Sequence, residues 1–413
     1  MSGKASLTSD HISRVLENRA VDDLERDLSP DFENLPGRFP AGASVREESV
    51  ARRWGYLGSE RHNREIPDSA WAGQIENFVG TVSLPVGIAG PLRVRGLYAK
   101  GDFPIPLATT EAALVASYHR GATLLTASGG CRSFLLYEAV SRAPAFAFSS
   151  LIDLGKFVLW VIGKQDEFKE IAASTTQHGR LVDMGIAVEG NHIYLDFEFT
   201  TGDAAGQNMV TIATQAIFDF ILAKTPVNPT EAYVEGNYSG DKKASAQSFT
   251  SVRGKKVTTE AIIPADLIAK RLHTTPEKMC DYWRMSALGG VLSGTVGVQG
   301  HYANGLAALF IATGQDPACV AESAVGVTRF ETTSAGDLYS AVTLPDLIVG
   351  TVGGGTGLPD QNGFLDLMGL AGAGNSGAFA EVCGGLMLAG ELSIIGAMAA
   401  GDFTRAHEKR TRK

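Results

Sequence analysis

The stretch from Ala145 to Gly236 switches repeatedly between two kinds of apolar pattern. AFAFSS, RLVDMGIAVEG, HIYLDFEFTT and EAYVEG read as strands, while residues 151–173 and AAGQNMVTIATQAIFDFILAK carry apolar positions at helical spacing. The order is strand, helix, two strands, helix, strand, with Gly190-Asn191 as the hairpin turn between the middle pair. That βαββαβ order is the split βαβ pattern of a ferredoxin-like domain, so residues 145–233 are predicted to be a small domain inserted into a larger one.

The flanking segments, 66–144 and 234–413, read as the larger mixed α/β part, giving an α+β chain overall. From ENFVGTVSLPVGIAGPLRVRG to PIPLATTEAALVASYHRGATLL the pattern is strand, Gly/Pro turn, strand and a helix starting near Thr110, which places Glu111 in a first helical turn. Residues 244–401 alternate helices with glycine-rich connections, and 48 glycines in 413 residues exceed the roughly 7% usual in proteins, so backbones must approach closely there. Residues 1–65 form an N-terminal helical segment. In it SDHISRVLENR offers a Ser/Asp cap, and LPGRFPAGAS breaks the helical pattern.

Charge and cysteine content narrow the function. A net charge of -9 argues against nucleic acid, whose phosphates need a basic surface; only the tail RAHEKRTRK is basic. Four cysteines, Cys131, Cys280, Cys319 and Cys383, lie far apart without a CxxC pair, so neither a disulfide framework nor a cysteine zinc site is expected, and a reducing cytoplasm fits. The N-terminus lacks the apolar stretch of a signal peptide. The uncharged run Met285 to Gln315 is long enough to span a bilayer, but its glycines and polar residues favour a buried protein interior, and no membrane is expected.

Three stretches hold candidate chemistry. TTGDAAGQNMV places Asp203 as N-cap of the second helix of the small domain, a position that favours anions such as a pyrophosphate. IVGTVGGGTG joins an apolar strand to clustered glycines that let backbone approach a ligand, yet it lacks the GxGxxG spacing and serves equally as a tight core turn. VEGNYSGDKK sets Lys242 and Lys243 in a Gly/Ser/Asn turn seven residues after Glu235. Taken singly, the lysines suit a solvated turn, Glu111 a helix dipole, Asp316 a turn or cap, and His407 a frayed tail.

In their joint order ENFVGTVSLPVGIAGPL, PLATTEAALVAS, GNYSGDKK, HYANGLAALFIATGQD, VGTVGGGT and AGELSIIGAMAAG resemble the catalytic portion of the hydroxymethylglutaryl-coenzyme A (HMG-CoA) reductases, from about Glu76 to His407 and closer to the eukaryote-like class. That family converts HMG-CoA to mevalonate with two hydrides from NADPH or NADH. The resemblance implies that Glu111, Lys242, Asp316 and His407 are catalytic. Lys242 would stabilise the oxyanion left by hydride addition to the thioester. Histidine's ordinary pKa near 6.5 would let His407 protonate the departing coenzyme A thiolate. Glu111 would supply a proton to the aldehyde oxygen, with Asp316 modulating Lys242 and Glu111. Arg142 and Lys243 match cations for the substrate's distal carboxylate, Asn304 a hydrogen-bonding partner in the catalytic network, and His119 and Arg120 contacts to coenzyme A. Asp203, Ala204, Gly206 and Asn208 fall in the cofactor-binding domain, with Gly353, Gly354, Gly355 and Thr356 as further cofactor contacts. The resemblance also implies a homodimer, or a dimer of dimers, with the active site across the subunit interface.

This sequence departs from the family at three places. Thr176 and Gln177 stand where NADPH-using relatives carry a Ser-Arg pair for the 2′-phosphate, which weakens the preference for NADPH over NADH. A further family lysine falls near Arg284 or Met285. Glu235 occupies the place of a small hydroxyl residue that helps bind the substrate carboxylate. An ionised Glu235 about 5 Å from that carboxylate would repel it by roughly 3 kcal/mol. It must therefore pair with Arg142 or Lys243, be protonated, face away, or accompany an acyl group without a terminal carboxylate. A reductase of another acyl-CoA or carrier-bound thioester, and a noncatalytic acyl-CoA or nucleotide-binding protein, are the competing readings.

Overall fold

The computed structural model describes residues 16, 19–59, 67–71 and 75–401; His407 and most of SDHISRVLENR lie outside the described residues. Among the described residues ten strands run in chain order: β1 Val86–Gly96, β2 Lys100–Ala108, β3 Cys131–Arg142, β4 Ala145–Ala147, β5 Arg180–Glu189, β6 His192–Thr200, β7 Glu231–Tyr233, β8 Gly254–Ile263, β9 Val327–Thr332 and β10 Leu338–Leu347. The N-terminal helices Val21–Leu28 and Glu47–Tyr56 flank the break at LPGRFPAGAS.

The long strand β3 belongs to both halves of the fold. Its first part pairs with β1 and antiparallel with β8, while its last three residues, Val140–Arg142, pair with Phe197–Phe199 of β6. Strand β4 then continues along β6, so the 145–233 block joins the rest through a continuous sheet edge rather than a flexible linker. Within that block the strands pair antiparallel in the order β7-β4-β6-β5, with Glu189↔His192 closing the hairpin at Gly190-Asn191. The first predicted helix is two helices, Leu151–Ile162 and Gln165–Thr175.

The core forms around the Ser376–Ala400 helix, about 37 Å long at 1.5 Å per residue. Among the described residues it alone is long and apolar enough to cross a membrane, yet most of it is buried inside the fold. Helix Leu114–Ala127 crosses it so closely that a Cβ on Gly121 would lie 1.8 Å from Ala389 O. Two of its carboxylates are buried as anchors. Glu381 accepts the N–H groups of Leu97, Tyr98, Ala99 and Leu135, and Glu391 accepts those of Gly300 and His301.

Two expectations need correction. Helix 114–127 starts three residues after Glu111, because Ala113 adopts a left-handed conformation (φ 74°) that interrupts the turn. The run Met285 to Gln315 is interior only in part. Helix Tyr302–Thr313 is largely buried, whereas Met285, Leu288, Val291 and Leu292 on one face of helix Pro276–Ser293 are 67–88% exposed. That helix's opposite face, with Met279 and Cys280 buried, packs toward β9.

Candidate active site

The turn after β7 explains where the lysines point. Both Asn237 (φ 61°) and Lys242 (φ 57°) are left-handed, a conformation disfavoured for residues with a Cβ. The turn carries Lys242 Nζ to 2.8 Å from Asp316 Oδ2, just beyond the C-terminus of helix Tyr302–Thr313. The hydrogen bond and charge of Asp316 outweigh burial and raise the Lys242 pKa. For Asp316 burial pushes upward, but hydrogen bonds from Lys242 and the Ala318 N–H bring the net value below the ordinary carboxylate range. The pair is therefore ionised.

Lys242 and Asp316 line a cavity of about 730 Å³ together with Ala204–Met209 and the loop Gly353–Thr356. The start of the 18-residue helix Gln207–Lys224 faces it, bringing unpaired backbone N–H groups to its wall. Asp203 does not cap this helix, whose N-cap is Gly206. Its carboxylate instead accepts from Gly374 N at 2.8 Å and Ser376 N at 3.1 Å, capping the long core helix, because the connector is held against the segment after β10 by Thr351 N donating to Asp203 O and by the Ala204–Val352 bridge. The glycine loop combines tight packing with open positions. A Cβ on Gly355 would meet Gly314 O at 2.6 Å, so that residue is tight packing, while the positions beside Gly353 and Gly354 are open.

Glu111 lies at the other end of helix Tyr302–Thr313. Asn304 Nδ2 donates to Glu111 Oε2 at 2.8 Å, and Glu391 fixes the residues just before this helix. The helix from Asn304 to Thr313 spans roughly 14 Å, and among the described residues no hydrogen bond or ion pair links Glu111 to Lys242. The expected catalytic set is thus divided into two groups within one chain.

Glu235 faces inward and takes the first of the compensations considered for it. Its Oε2 lies 3.3 Å from Arg142 Nη1 and also accepts from Ala143 N and Ser239 Oγ. Arg142, at the end of β3, pairs in addition with Asp241 at 2.9 Å. Lys243 does not join this group; its Nζ donates to Asp241 O, and Arg284 is exposed and paired with Asp281.

A model of the hydroxymethylglutaryl-coenzyme A reductase family matches residues 44–412. The chain belongs to this family. Relatives at the level of sequence include 3-hydroxy-3-methylglutaryl-coenzyme A reductase of Methanothermobacter thermautotrophicus, 41% identical over 88% of this chain and 92% of its own, and that of Pyrococcus horikoshii, 43% identical over 88% and 90%. Dictyostelium discoideum reductase 2 is 39% identical over 82% of this chain and 65% of its own. The archaeal and Dictyostelium relatives agree with the eukaryote-like class. Among solved structures, the class II 3-hydroxy-3-methylglutaryl-CoA reductase from Streptococcus pneumoniae, bound to NADPH in open conformations, shares the fold at a TM-score of 0.65 and 19% identity, covering 80% of this chain and 89% of that one.

In this HMG-CoA reductase family member, His119 and Arg120 border a second cavity of about 570 Å³ with Arg38, Lys270 and Arg271. Burial and the nearby Arg38 lower the His119 pKa, against a weaker opposing hydrogen bond at Gly90. The Arg120 guanidinium is held by Ser393 O and Oγ. Thr176 touches Met209 Sδ at 3.1 Å, beside the first cavity, and Gln177 next to it is exposed. Reading the sequence missed Arg253, Glu322, Lys270 and Arg271. Arg38, Lys270 and Arg271 lie far from His119 along the chain, so only folding groups their charges.

Proposed function

We propose that this chain reduces HMG-CoA to mevalonate and free coenzyme A, consuming two NAD(P)H and two protons per thioester. The observation that carries this reading is the ionised Lys242–Asp316 pair in a cavity shared with Ala204–Met209 and the glycine loop. Lys242 faces the acyl carbonyl and stabilises the oxygen as it becomes negative. Glu111, held by Asn304, delivers a proton to the aldehyde oxygen, and His407 protonates the coenzyme A sulfur as its carbon–sulfur bond breaks. Arg38, Arg120, Lys270 and Arg271 suit the phosphates of coenzyme A. Arg142, Lys243 and Asn304 complete the substrate site.

The 145–233 block serves as the cofactor domain, 66–144 and 234–413 as the acyl-CoA part, and 1–65 as an N-terminal helical segment. NADPH or NADH fits the cavity by its chemistry: Ala204, Gly206 and Asn208 lie at a helix N-terminus suited to a pyrophosphate, and Gly353 and Gly354 offer open backbone on the facing wall, while Asp203 supports this connector from behind by capping the core helix. When bound, the nicotinamide supplies the hydrides. Thr176 and Gln177 hold no cation for a 2′-phosphate, so NADH is usable.

The functional unit is a homodimer or dimer of dimers. Glu111 and Asn304 of one copy complete the Lys242 site of another, and the exposed Met285, Leu288, Val291 and Leu292 supply apolar contact area. A cytoplasmic location suits the four buried, unpaired cysteines. A related acyl-CoA is the second reading, favoured because Glu235 and Asp241 already occupy Arg142.

Loss of the nicotinamide absorbance band, followed with HMG-CoA and a panel of acyl-CoA thioesters, tests both. Two cofactors oxidised per HMG-CoA support the first reading, and turnover only with neutral-ended acyl-CoA supports the second. A noncatalytic binder shows no oxidation. The kcat/KM ratio of NADPH to NADH is expected to stay below about a thousandfold, three decades being roughly 4 kcal/mol of discrimination.

A further inference from the structure

Lys242 is gripped at both its ends by one short stretch of chain. Its ammonium meets Asp316, and its backbone N–H is donated to Glu322 Oε1 at 3.2 Å. Glu322 is 1% exposed in the short helix Val320–Ser323, which follows the Pro317–Cys319 turn after Asp316. Its second oxygen, Oε2, pairs with Nη1 of the buried Arg253. Arg253 Nη2 lies 2.8 Å from Asp241 Oδ1, so the residue before Lys242 is tied to the same guanidinium. Arg253 is held in turn by its own N–H, donated to Asp346 Oδ1 at 2.6 Å.

We propose that the buried Glu322–Arg253 pair is a positioning device that holds Lys242 in its left-handed conformation and so aims its ammonium into the cavity. Left-handed backbone is unfavourable for a residue bearing a Cβ and persists where surrounding contacts over-determine it. The required contacts are present on both sides of the Lys242 peptide. A carboxylate is needed at 322 because it faces two donors, the Lys242 N–H and the Arg253 guanidinium. A glutamine would turn its NH2 toward one of them, leaving a donor against a donor. The proposal rests on Lys242 as the oxyanion-binding cation, but its structural part stands apart from that reading.

The test uses the full chain in a double-mutant cycle. Glu322→Gln should lower kcat by roughly tenfold to a hundredfold for both HMG-CoA and free mevaldehyde, with KM within about twofold, since a small misplacement of a catalytic group acts on the chemical step. In the Lys242→Met background the same change should cost less than about twofold, because a residue acting only through Lys242 has nothing left to position. Equal losses in both backgrounds would reduce Glu322 to a general structural residue and overturn the proposal. If Glu322→Gln fails to fold, Glu322→Asp, with the charge kept and the reach shortened, is read in the same cycle.

Amide hydrogen exchange supplies a readout without turnover. The Lys242 amide should exchange at least about tenfold faster in the folded variant, while β8 amides keep their protection. Unchanged protection at Lys242 would overturn the proposal. Faster exchange together with an inactive wild-type chain would count against the reductase reading alone.

Discussion

The two ends of helix Tyr302–Thr313 are built by different physics. At its start, Asn304 orients Glu111 through one hydrogen bond, and the helix entry is fixed by Glu391, a carboxylate buried within the long core helix. That end is a product of close packing. At the far end, Asp316 holds Lys242 by charge on a strained turn backed by the ionic chain Glu322–Arg253–Asp241–Arg142–Glu235. Packing can orient a group that hydrogen-bonds, whereas a cation that must meet a developing negative charge needs opposing charges to hold it ready. The helix between them keeps the two groups apart within one chain.

The comparison breaks most visibly at the charged end. Lys242→Met should lower the rate roughly a hundredfold, about 3 kcal/mol of transition-state stabilisation. Near-normal turnover would remove Lys242 from the mechanism. Co-expressing Lys242→Met with Glu111→Gln copies sharpens the comparison further. If the two ends meet across subunits, mixed dimers carry one intact site in two and about a quarter of the wild-type rate returns. Two variants that stay inactive together would place both ends in one chain's site.

A smaller effect is expected at the outer end of the ionic chain. Glu235 sits 3.3 Å from Arg142, so a substrate carboxylate placed at that guanidinium would have to compete with it. Glu235→Ser should raise kcat/KM for HMG-CoA relative to an acyl-CoA with a neutral end by on the order of tenfold, the scale of one charge-assisted contact. An unchanged ratio would mean that Glu235 does not select the substrate.

The smallest effect is a movement along the pH axis. Asp316 raises the Lys242 pKa, whereas burial acts in the opposite direction. With the raised value the lysine charge is present below its ordinary pKa and is lost only as pH rises through the higher folded value. In Asp316→Asn the largest raising cause disappears while burial and the weaker raising charge of Asp241 remain, so the alkaline limb of the residual kcat profile should move to lower pH. A limb that stays in place would show that Lys242 does not titrate in that range.

Much of this molecule is legible in local sequence. The order of strands and helices from Ala145 to Tyr233 and the Gly190-Asn191 hairpin follow from periods of two and 3.6 and from turn residues, all of which act over a few neighbours. The left-handed Ala113 was not legible, since nothing in TTEAAL marks it, and it moved Glu111 out of the helix expected to hold it. Asp203 read as a cap and is one, but for a helix 173 residues further along the chain. Short-range pattern identifies a capping residue; it does not say which helix end will arrive beside it.

By itself, the sequence determined the kinds of element, their order, the family to which the chain belongs and the residue types available for its chemistry. Only the tertiary structure decided that Lys242 meets Asp316, that Glu111 stands at the opposite end of one helix, that Glu235 is spoken for by Arg142 and that Arg253 and Glu322 lie behind the lysine. The same division separates two glycine-punctuated apolar runs. The 376–400 helix is buried, while the 285–292 stretch leaves its apolar side chains exposed. Periodicity and turn chemistry are set by adjacent residues. Burial and ion pairing are set by which distant surfaces close over a residue, and that is known only once the whole chain has packed.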